Sequence, residues 1–250
     1  SAKSVNCWPN VDLDIRAITD ILSRFMPPGF YYKTFMWPKG FWHRYEHNIR
    51  KAGGYGVSPK EPDVDRYDTH NAHCDVLIIG GGPAGLAAAL EAGRTGARVI
   101  IVDEQNEFGG SLMNGHELIN GLPAMEWVTT TVEELTSMNE VQLLVRSTAF
   151  GYYDHNFVGI IERVTDHLLA STDSRPRQRL WRIRANQVII AAGAIERPLV
   201  FSNNDRPGVM LASATSSYLN RFAVTTGSQA VIFTNNDSAY QTAIDLAATG

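Results

Sequence analysis

The sequence predicts an α/β fold of the doubly wound type, and three observations on one stretch of the chain support this prediction. An apolar run over residues 74–79 leads into an alanine-rich helix that ends near Gly96. Between the run and the helix stands the pattern Gly-x-Gly-x-x-Gly, formed by Gly80, Gly82 and Gly85. A second apolar run, over residues 98–102, follows the helix. A strand, a glycine loop, a helix and a second strand in this order are typical of the first βαβ unit of a dinucleotide-binding sheet.

Each glycine of the loop has a physical role in such a unit. Gly80 supplies the tight turn out of the strand, and Gly82 lets the backbone approach a pyrophosphate with no side chain in the way. Gly85 lets the helix pack closely against the strand. The phosphates would then lie at the positive end of the helix dipole.

The acid at the end of the second run predicts which nucleotide the loop takes. Asp103, followed by Glu104, stands 23 residues after Gly80, where the hydroxyl pair of an adenosine ribose needs an acceptor. An acid rather than a basic residue at this point favours an unphosphorylated ribose. The sequence therefore favours NAD or FAD over NADP.

The composition is that of an ordinary globular protein. The chain has 250 residues, of which 44% are hydrophobic and 19% are charged. Its net charge of −4 argues against an electrostatic surface for nucleic acid or for a membrane. The longest uncharged apolar stretch, residues 76–90, is too short to cross a bilayer. No apolar segment of the signal-peptide kind opens the sequence.

The cysteine content favours a reducing compartment. Cys7 and Cys74 are the two cysteines, and they predict reduced thiols in a cytoplasmic protein. There is no Cys-x-x-Cys pair, which excludes within this sequence the redox-active disulfide of the disulfide reductases.

Two groups of metal-type residues do not predict a metal site. His43, Glu46 and His47 have the spacing of a zinc peptidase helix, but no third ligand is evident. Residues 70–74 hold two histidines and a cysteine, and we expect them to line a linker before the first strand.

The remaining patterns predict further elements around the βαβ unit. Apolar residues on one face of residues 15–25 predict a helix that Asp12 or Asp14 caps. The patterns further along the chain predict a helix over 123–138, a strand over 141–145, a hairpin over 148–161, a strand over 180–183 and a returning central strand over 187–194.

The chain contains a second, weaker copy of the glycine-loop pattern. With a constant offset of 154 residues, 230–233 aligns with 76–79, and Gly250 aligns with Gly96. Every glycine of the loop is replaced in this copy. We therefore expect a strand and a helix capped by Asn236 or Asp237, with no dinucleotide bound in the usual way. Because the copy stops before a second strand, we expect the sequence to be a truncated piece of a longer polypeptide.

Aromatic residues are concentrated near the start of the chain. Residues 30–45 hold eight of the 24 aromatic residues, namely Phe30, Tyr31, Tyr32, Phe35, Trp37, Phe41, Trp42 and Tyr45. We expect so dense a cluster to be buried within its own chain or against another.

Several segments, taken together, resemble one family. They are the aromatic segment 30–38, the glycine loop from residue 75, the acidic turn 102–105, Gly-Gly-Ser-Leu at 109–112, Ala-Gly-Ala-Ile-Glu-Arg-Pro at 192–198 and Asn-Asn-Asp-Arg-Pro-Gly-Val-Met at 203–210. With these segments the sequence resembles the α subunit of bacterial heterotetrameric sarcosine oxidase over essentially all its length. Related α subunits of dye-linked proline dehydrogenase, opine oxidases and cyanide synthase share the central part. The resemblance implies a glutathione-reductase-like FAD/NAD(P)-binding fold with two dinucleotide domains, truncated here.

The resemblance also implies how cofactors are divided among subunits. In that family the α subunit holds NAD, a β subunit holds FAD and oxidises sarcosine, and a covalently held FMN lies at the interface of α and β. Small γ and δ subunits complete the complex. The C-terminal domain that captures the one-carbon unit on tetrahydrofolate, and most of the N-terminal ferredoxin-like domain, are expected to be missing here.

Carried over to this sequence, the family's NAD contacts predict a set of cofactor-binding residues. The resemblance implies Ala84, Asp103, Glu104, Gln105, Ser111 and Ala149, the last contacting adenine through its backbone. The predicted site also includes Gly80, Gly82, Gly85, Gly110 and Gly193. No catalytic residue and no metal ligand is predicted in this chain.

The domain organisation follows from the same comparison. We predict the end of the ferredoxin-like domain and an aromatic-rich linker over 1–70, the dinucleotide-binding domain over 71–210, and the start of a second nucleotide-binding-like domain over 211–250.

Three functions remain open on the sequence. The first is an NAD-holding subunit of a sarcosine-oxidising flavoenzyme, and the second is an FAD- or ATP-binding subunit of a proline dehydrogenase or opine oxidase. The third is a nucleotide-binding scaffold without redox function.

Overall fold

The computed structural model describes residues 7–10, 12–25, 29, 37–38, 40–54, 59–168 and 174–249. The chain divides into two compact units, Ser1–Val64 and Asp65–Gly250. The three-part division at residues 70 and 210 stays a prediction.

The described part of the first unit is helical. A 3₁₀ turn Ile15–Ala17, helix α1 (Ile18–Leu22) and a second 3₁₀ turn Ser23–Phe25 stand where one continuous helix was predicted. No side chain caps α1. The Asp14 carboxylate accepts a hydrogen bond from the N–H of Trp8 at 2.9 Å, and the N–H of Ile15 donates to the carbonyl of Trp8 at 2.8 Å.

Helix α2 (Trp42–Ala52) carries part of the aromatic segment. Phe30, Tyr31, Tyr32 and Phe35 lie outside the described residues. Trp37 and Phe41 are 76% and 41% exposed, so these two rings are not buried within this chain. His43 lies 3.9 Å from the Glu46 carboxylate on the same helix.

The second unit is built on a mixed six-stranded sheet. Its strands are β1 (Tyr67–Ile79), β2 (Val99–Val102), β5 (Val141–Leu144), β6 (Ser147–Tyr153), β7 (Phe157–Arg163) and β8 (Gln178–Ile190). Their order is β5-β2-β1-β8-β7-β6. The first four strands of this order run parallel, and β7 and β6 are antiparallel to their neighbours. A separate small hairpin pairs β3 (Leu118–Ile119) with β4 (Leu122–Pro123).

Strand β1 begins earlier than the sequence predicts. Tyr67 pairs with Gln178, and the pairing continues to Ile79 opposite Ile190. His70, His73 and Cys74 therefore lie within a strand, and the prediction that they line a linker is wrong. The reason is tertiary, because β8 supplies ladder hydrogen bonds to a stretch whose own sequence has little strand propensity.

Two clusters of buried residues form the core of this unit. Helices α3 (Pro83–Arg94) and α4 (Ala124–Ser137) pack on one cluster, through buried residues such as Leu86 and Leu135. The other cluster consists of strand residues, among them Leu77, Val158 and Ile183. Along β2 successive side chains alternate between the two clusters, as the period of two requires.

The end of the unit is helical. It contains α5 (Ala212–Ser216), a π-helical turn Ser217–Arg221 and α6 (Ser238–Ala247). The helix of the second copy is present, but residues 230–233 form no strand in the described structure. Val231 and Phe233 are 98% and 68% exposed. A strand forms only against a partner, and no described strand pairs with this segment.

Among the described residues, no helix combines the length and the apolar composition needed to cross a bilayer.

Candidate dinucleotide site

The glycine loop is fixed by hydrogen bonds at the carboxyl ends of the central strands. The N–H of Gly80 donates to the carbonyl of Val102 at 2.8 Å, and the N–H of Ala191 donates to the carbonyl of Ile79 at 2.7 Å. The ends of β1, β2 and β8 are thereby joined where the loop begins. In open α/β sheets this edge is where ligands bind.

Three glycines are required by contacts within the protein. A Cβ on Gly80 would collide with the carbonyl of Ala191, and Gly80 has a φ of +107° that favours glycine. A Cβ on Gly85 would collide with the carbonyl of Gly80. Gly81, which the sequence analysis did not single out, would collide with the ring of Phe108.

Gly82 is different, because nothing in the protein fills the space beside it. A Cβ there would have only the Cα of Gly110 within 4 Å, at 3.8 Å. A Cβ on Gly110, in contrast, would lie 2.8 Å from the Cα of Gly82. Two backbones thus face each other with no side chain between them, and the space beside Gly82 is free for a group that is not part of the protein.

Helix α3 begins beside this space. Its N-cap is Gly82, no side chain caps it, and Pro83 stands in its first turn. The first-turn N–H groups of an uncapped helix have no partner within the helix. Ala84, in this turn, is exposed, so the helix end is suited to an anion.

The Asp103 carboxylate joins the glycine loop to the acidic turn after β2. Its Oδ2 accepts the N–H of Gly81 at 2.6 Å, and its Oδ1 accepts the N–H of Gln105 at 2.8 Å. Hydrogen bonds from N–H groups to a carboxylate are stronger than neutral ones. Asp103 therefore sets the distance between the loop and the turn.

Glu104 and Gln105 are exposed on the same turn. The Glu104 carboxylate makes no hydrogen bond or ion pair with any described residue. Its backbone is held instead, since the Arg163 guanidinium donates to the carbonyl of Glu104 at 2.6 Å. The N–H of Arg146, a residue with a φ of +53°, donates to the carbonyl of Gln105 at 2.7 Å. Neither arginine could be predicted from a motif, because each acts through a backbone carbonyl that no motif specifies.

The other predicted residues lie on neighbouring segments. Ser111 is exposed in the 3₁₀ helix Gly110–Asn114, and Ala149 is half-buried on β6, opposite Ile160. Gly193 follows β8 with a φ of +69° and open space beside it. The predicted cofactor residues thus lie on the glycine loop and the start of α3, on the acidic turn after β2, in the 3₁₀ helix, on β6 and after β8. Which of them touch a cofactor stays a prediction.

The 3₁₀ helix Gly110–Asn114 is anchored at its C-terminal residue. The carbonyl of Asn114 accepts hydrogen bonds from Ser216 and from Asn220, both at 2.8 Å. Asn220 also donates to the Asp245 carboxylate at 2.8 Å, and Asp245 is 9% exposed. This polar network ties the 3₁₀ helix to α5, to the π-helical turn and to α6.

The second copy of the loop, which lacks the glycines, lies beside two cavities. The N-cap of α6 is Asp237, whose side chain makes no capping hydrogen bond, while the Asn236 side chain accepts the N–H of Ser238 at 2.9 Å. A cavity of about 250 Å³ beside it is lined by polar and apolar residues such as Arg197, Asn204 and Met210. A second cavity, of about 630 Å³, has mostly apolar walls that include Phe201 and Val231.

Two side chains within β1, at Cys74 and Asp75 shortly before the glycine loop, have pKa values well away from their ordinary ones. The Arg98 guanidinium, which donates to Asp75 at 2.8 and 3.0 Å, lowers the pKa of that carboxyl to about 2. Asn186 of β8 also donates to Asp75, at 3.1 Å. Burial, with a smaller effect of Asp75, raises the pKa of the Cys74 thiol to about 11.

Metal-type side chains do not cluster in the described ranges. No three of the His, Cys, Asp and Glu side chains found there come together as a possible metal site. The predictions of no metal ligand and of no catalytic residue in this chain stay predictions.

Comparison with known proteins supports the oxidoreductase character of the fold. Residues 75–170 match the family of FAD dependent oxidoreductases. The chain is 52% identical over its full 250 residues to the α subunit of sarcosine oxidase from Rhizobium meliloti (strain 1021), of which it covers 25%. It is 51% identical over 79% of its length to the α subunit of sarcosine oxidase from Corynebacterium sp. (strain P-1), covering 21% of that protein. The chain resembles the α subunit of sarcosine oxidase over its whole length. It spans about a quarter of the length of these relatives.

More distant relatives are similar over the central part. One of the opine oxidase subunits of Agrobacterium tumefaciens (strain Ach5) is 30% identical over 56% of this chain and 28% of its own length. The crystal structure of L-proline dehydrogenase from P. horikoshii has a TM-score of 0.53 and 26% identity, covering 69% of this chain and 32% of that chain. The resemblance and the fold class inferred from the sequence are confirmed.

Proposed function

We propose that this chain is the dinucleotide-binding part of the α subunit of a multi-subunit flavoenzyme that oxidatively demethylates sarcosine to glycine. Tetrahydrofolate and O₂ would be the co-substrates, with methylenetetrahydrofolate and H₂O₂ as products. The observation that carries the proposal is the open space beside the backbone of Gly82, at the uncapped start of α3, in a chain that resembles the α subunit of sarcosine oxidase throughout.

The local geometry supports a dinucleotide at this place. A pyrophosphate needs backbone without side chains and unpaired N–H groups, and Gly82 with the uncapped start of α3 supplies both. Gly80 and Gly85 hold this backbone in place, and Ser111 lies on the opposite loop.

The acidic turn supports NAD as the dinucleotide. The Asp103 carboxylate already accepts two backbone N–H groups. The Glu104 carboxylate has no partner among the described residues and is therefore available to a ligand. It would accept the ribose hydroxyls, and its charge would repel the 2′-phosphate of NADP. Gln105 would extend this contact, and the backbone of Ala149 would face the adenine.

The proposal assigns the redox chemistry to other parts of the enzyme. FAD on a β subunit would take a hydride equivalent from the amine, and a covalent FMN would lie at the interface of the two subunits. The γ and δ subunits would complete the assembly, and tetrahydrofolate would bind in a domain outside this sequence. In this chain the residues bind and orient NAD, which stabilises the fold by binding linkage.

The test is a cofactor analysis of the full-length polypeptide purified with its partner subunits. Acid releases the non-covalent cofactors, and NAD, FAD and ATP are then quantified per α chain by chromatography and mass spectrometry. We expect one NAD per α chain, with all flavin on other subunits or at the interface. Flavin held by the α chain itself would contradict the proposal.

A second candidate is a subunit of a proline dehydrogenase or an opine oxidase that holds FAD or ATP in the same loop. It is favoured by the similarity to L-proline dehydrogenase from P. horikoshii and to an opine oxidase from Agrobacterium tumefaciens. ATP or FAD in place of NAD, together with dehydrogenation of proline or an opine, would establish it.

A further inference from the structure

One face of the antiparallel part of the sheet combines two exposed arginines with an exposed and a half-buried phenylalanine ring. We call it the arginine face. It comprises Asn71 and His73 of β1, Arg182 and Arg184 of β8, Phe157 of β7 and Phe150 of β6.

The strand register places these residues on one side of the sheet. His73 pairs with Arg184, which pairs with Phe157. Asn71 pairs with Arg182 in the next row. Directly paired residues share a face, and the intervening Ile183 of β8 is fully buried on the other face. The two arginines therefore project away from the core.

The aromatic rings lie beside the arginines. Arg182 pairs with Gly159, and a Cβ on Gly159 would lie 2.6 Å from the Cζ of Phe150. The ring of Phe150 thus covers this glycine next to Arg182, while remaining 55% exposed. The Arg184 guanidinium lies 5.7 Å from the centre of the Phe157 ring.

The two arginines lack the carboxylate partners that neighbouring arginines have. Arg177 pairs with Asp65 and Asp166, and Arg179 pairs with Asp68 and Glu162. No carboxylate of the described residues pairs with Arg182 or Arg184. Exposed arginine and aromatic side chains of this kind are enriched at the centre of protein interfaces.

We infer that the arginine face binds an acidic polypeptide segment of a partner subunit, whose carboxylates pair with Arg182 and Arg184. The inference rests on the proposed function in one respect, namely that the chain assembles with other subunits. Charge favours a peptide over a nucleic acid, because two arginines neutralise few phosphates and the chain has a net charge of −4.

The test compares two charge reversals in the full-length polypeptide assembled with its partner subunits. Arg182→Glu reverses a charge on the face at a side chain with no ion pair among the described residues. Arg206→Glu is the matched control, because Arg206 is exposed and also has no such ion pair but lies outside the face. Thermal unfolding checks that both variants fold, and Arg182→Gln replaces Arg182→Glu if the reversal prevents folding.

The readout is the dissociation constant of the assembly, measured by dilution at two salt concentrations. We expect Arg182→Glu to weaken assembly by about tenfold or more, with a weaker salt dependence than the wild type, and Arg206→Glu to leave it unchanged. Cross-linking from position 182 should reach an acidic segment of the partner subunit. Replacing a carboxylate of that segment by arginine should restore assembly with the Arg182→Glu variant.

Three results would overturn the inference while leaving the proposed function in place. They are normal assembly of Arg182→Glu, a loss confined to self-association of this chain, and a loss confined to binding of RNA or of phosphatidylserine vesicles. A wild-type chain that assembles with no other subunit would overturn the proposed function as well.

Discussion

At the residue scale, the four glycines of the loop divide into two kinds. Gly80, Gly81 and Gly85 are required by the fold, because a Cβ on any of them would collide with protein atoms. Gly82 has no such neighbour. The sequence motif predicts the loop but cannot separate these roles, since the distinction depends on which segments pack behind each glycine.

Gly85→Ala should destabilise the protein. The added methyl group would press on the carbonyl of Gly80, so α3 must move away from the strand. We expect the free energy of unfolding to fall by about 1–3 kcal/mol, measured by urea unfolding of nucleotide-free protein. Gly82→Ala is the matched control and should unfold at nearly the wild-type urea concentration. Equal stability of the two variants would contradict this account.

Substitutions of Asp103 and Glu104 should likewise separate a structural role from a role in NAD binding. Asp103→Ala removes the acceptor of two backbone N–H groups, and we expect a loss of about 1–3 kcal/mol in the free energy of unfolding. Glu104→Gln should leave the stability of the nucleotide-free protein unchanged and weaken NAD binding. Isothermal titration with NAD and urea unfolding separate the two effects. A Glu104→Gln variant that binds NAD like the wild type would count against the ribose contact.

The two cysteines should react at different rates. Cys74 is 2% exposed, and burial raises the pKa of its thiol to about 11, so little thiolate is present at pH 8. Cys7 is half-buried and also free. We expect iodoacetamide at pH 8 to label Cys7 in the native protein and Cys74 only after unfolding, as read by peptide mass spectrometry. Rapid native labelling of Cys74 would be inconsistent with its place in the core.

At the scale of elements, Asp75 joins three neighbouring strands. It lies on β1, accepts hydrogen bonds from Arg98 just before β2, and accepts another from Asn186 of β8. These bonds favour the ionised carboxylate and so lower its pKa.

The lowered pKa of Asp75 predicts an acid-dependent loss of stability. Its pKa falls from an ordinary value of 3.8 to about 2, so the unfolded chain binds this proton more readily than the folded one. The stabilisation is therefore fully present above about pH 5 and is lost as the pH falls from there towards 2. Urea unfolding should show Asp75→Asn to be less stable than the wild type at pH 6, with the difference shrinking towards pH 2. Asp154→Asn, in the exposed hairpin turn, is the control, and a difference that does not change with pH would contradict the prediction.

Local sequence patterns predicted the elements whose partners lie nearby. Helix α3, strand β2, helix α4, strand β5 and the β6–β7 hairpin lie close to their expected positions. The start of β1 was missed, because residues 67–73 become a strand through pairing with β8, more than a hundred residues away. The strand expected over 230–233 is absent from the described structure, because no described strand pairs with these residues.

At the scale of the whole molecule, the predicted site residues come from segments far apart in the sequence. Loops after β1, β2 and β8 meet at one sheet edge, as the topology of parallel strands requires. Their meeting could be predicted from the order of the motifs. The supporting contacts of Arg146 and Arg163 could not, because they depend on how the hairpin strands reach back to the acidic turn.

Whether the space beside Gly82 holds the pyrophosphate of NAD is best tested by the NAD content of the Gly82→Ala variant. The full-length wild type and variant are purified with their partner subunits, and NAD and flavin are quantified per α chain. We expect one NAD per chain in the wild type and a loss of most of it in Gly82→Ala, because the methyl group occupies the space for the pyrophosphate. The flavin content should stay the same. Full retention of NAD by Gly82→Ala, or a loss of flavin in its place, would contradict this expectation.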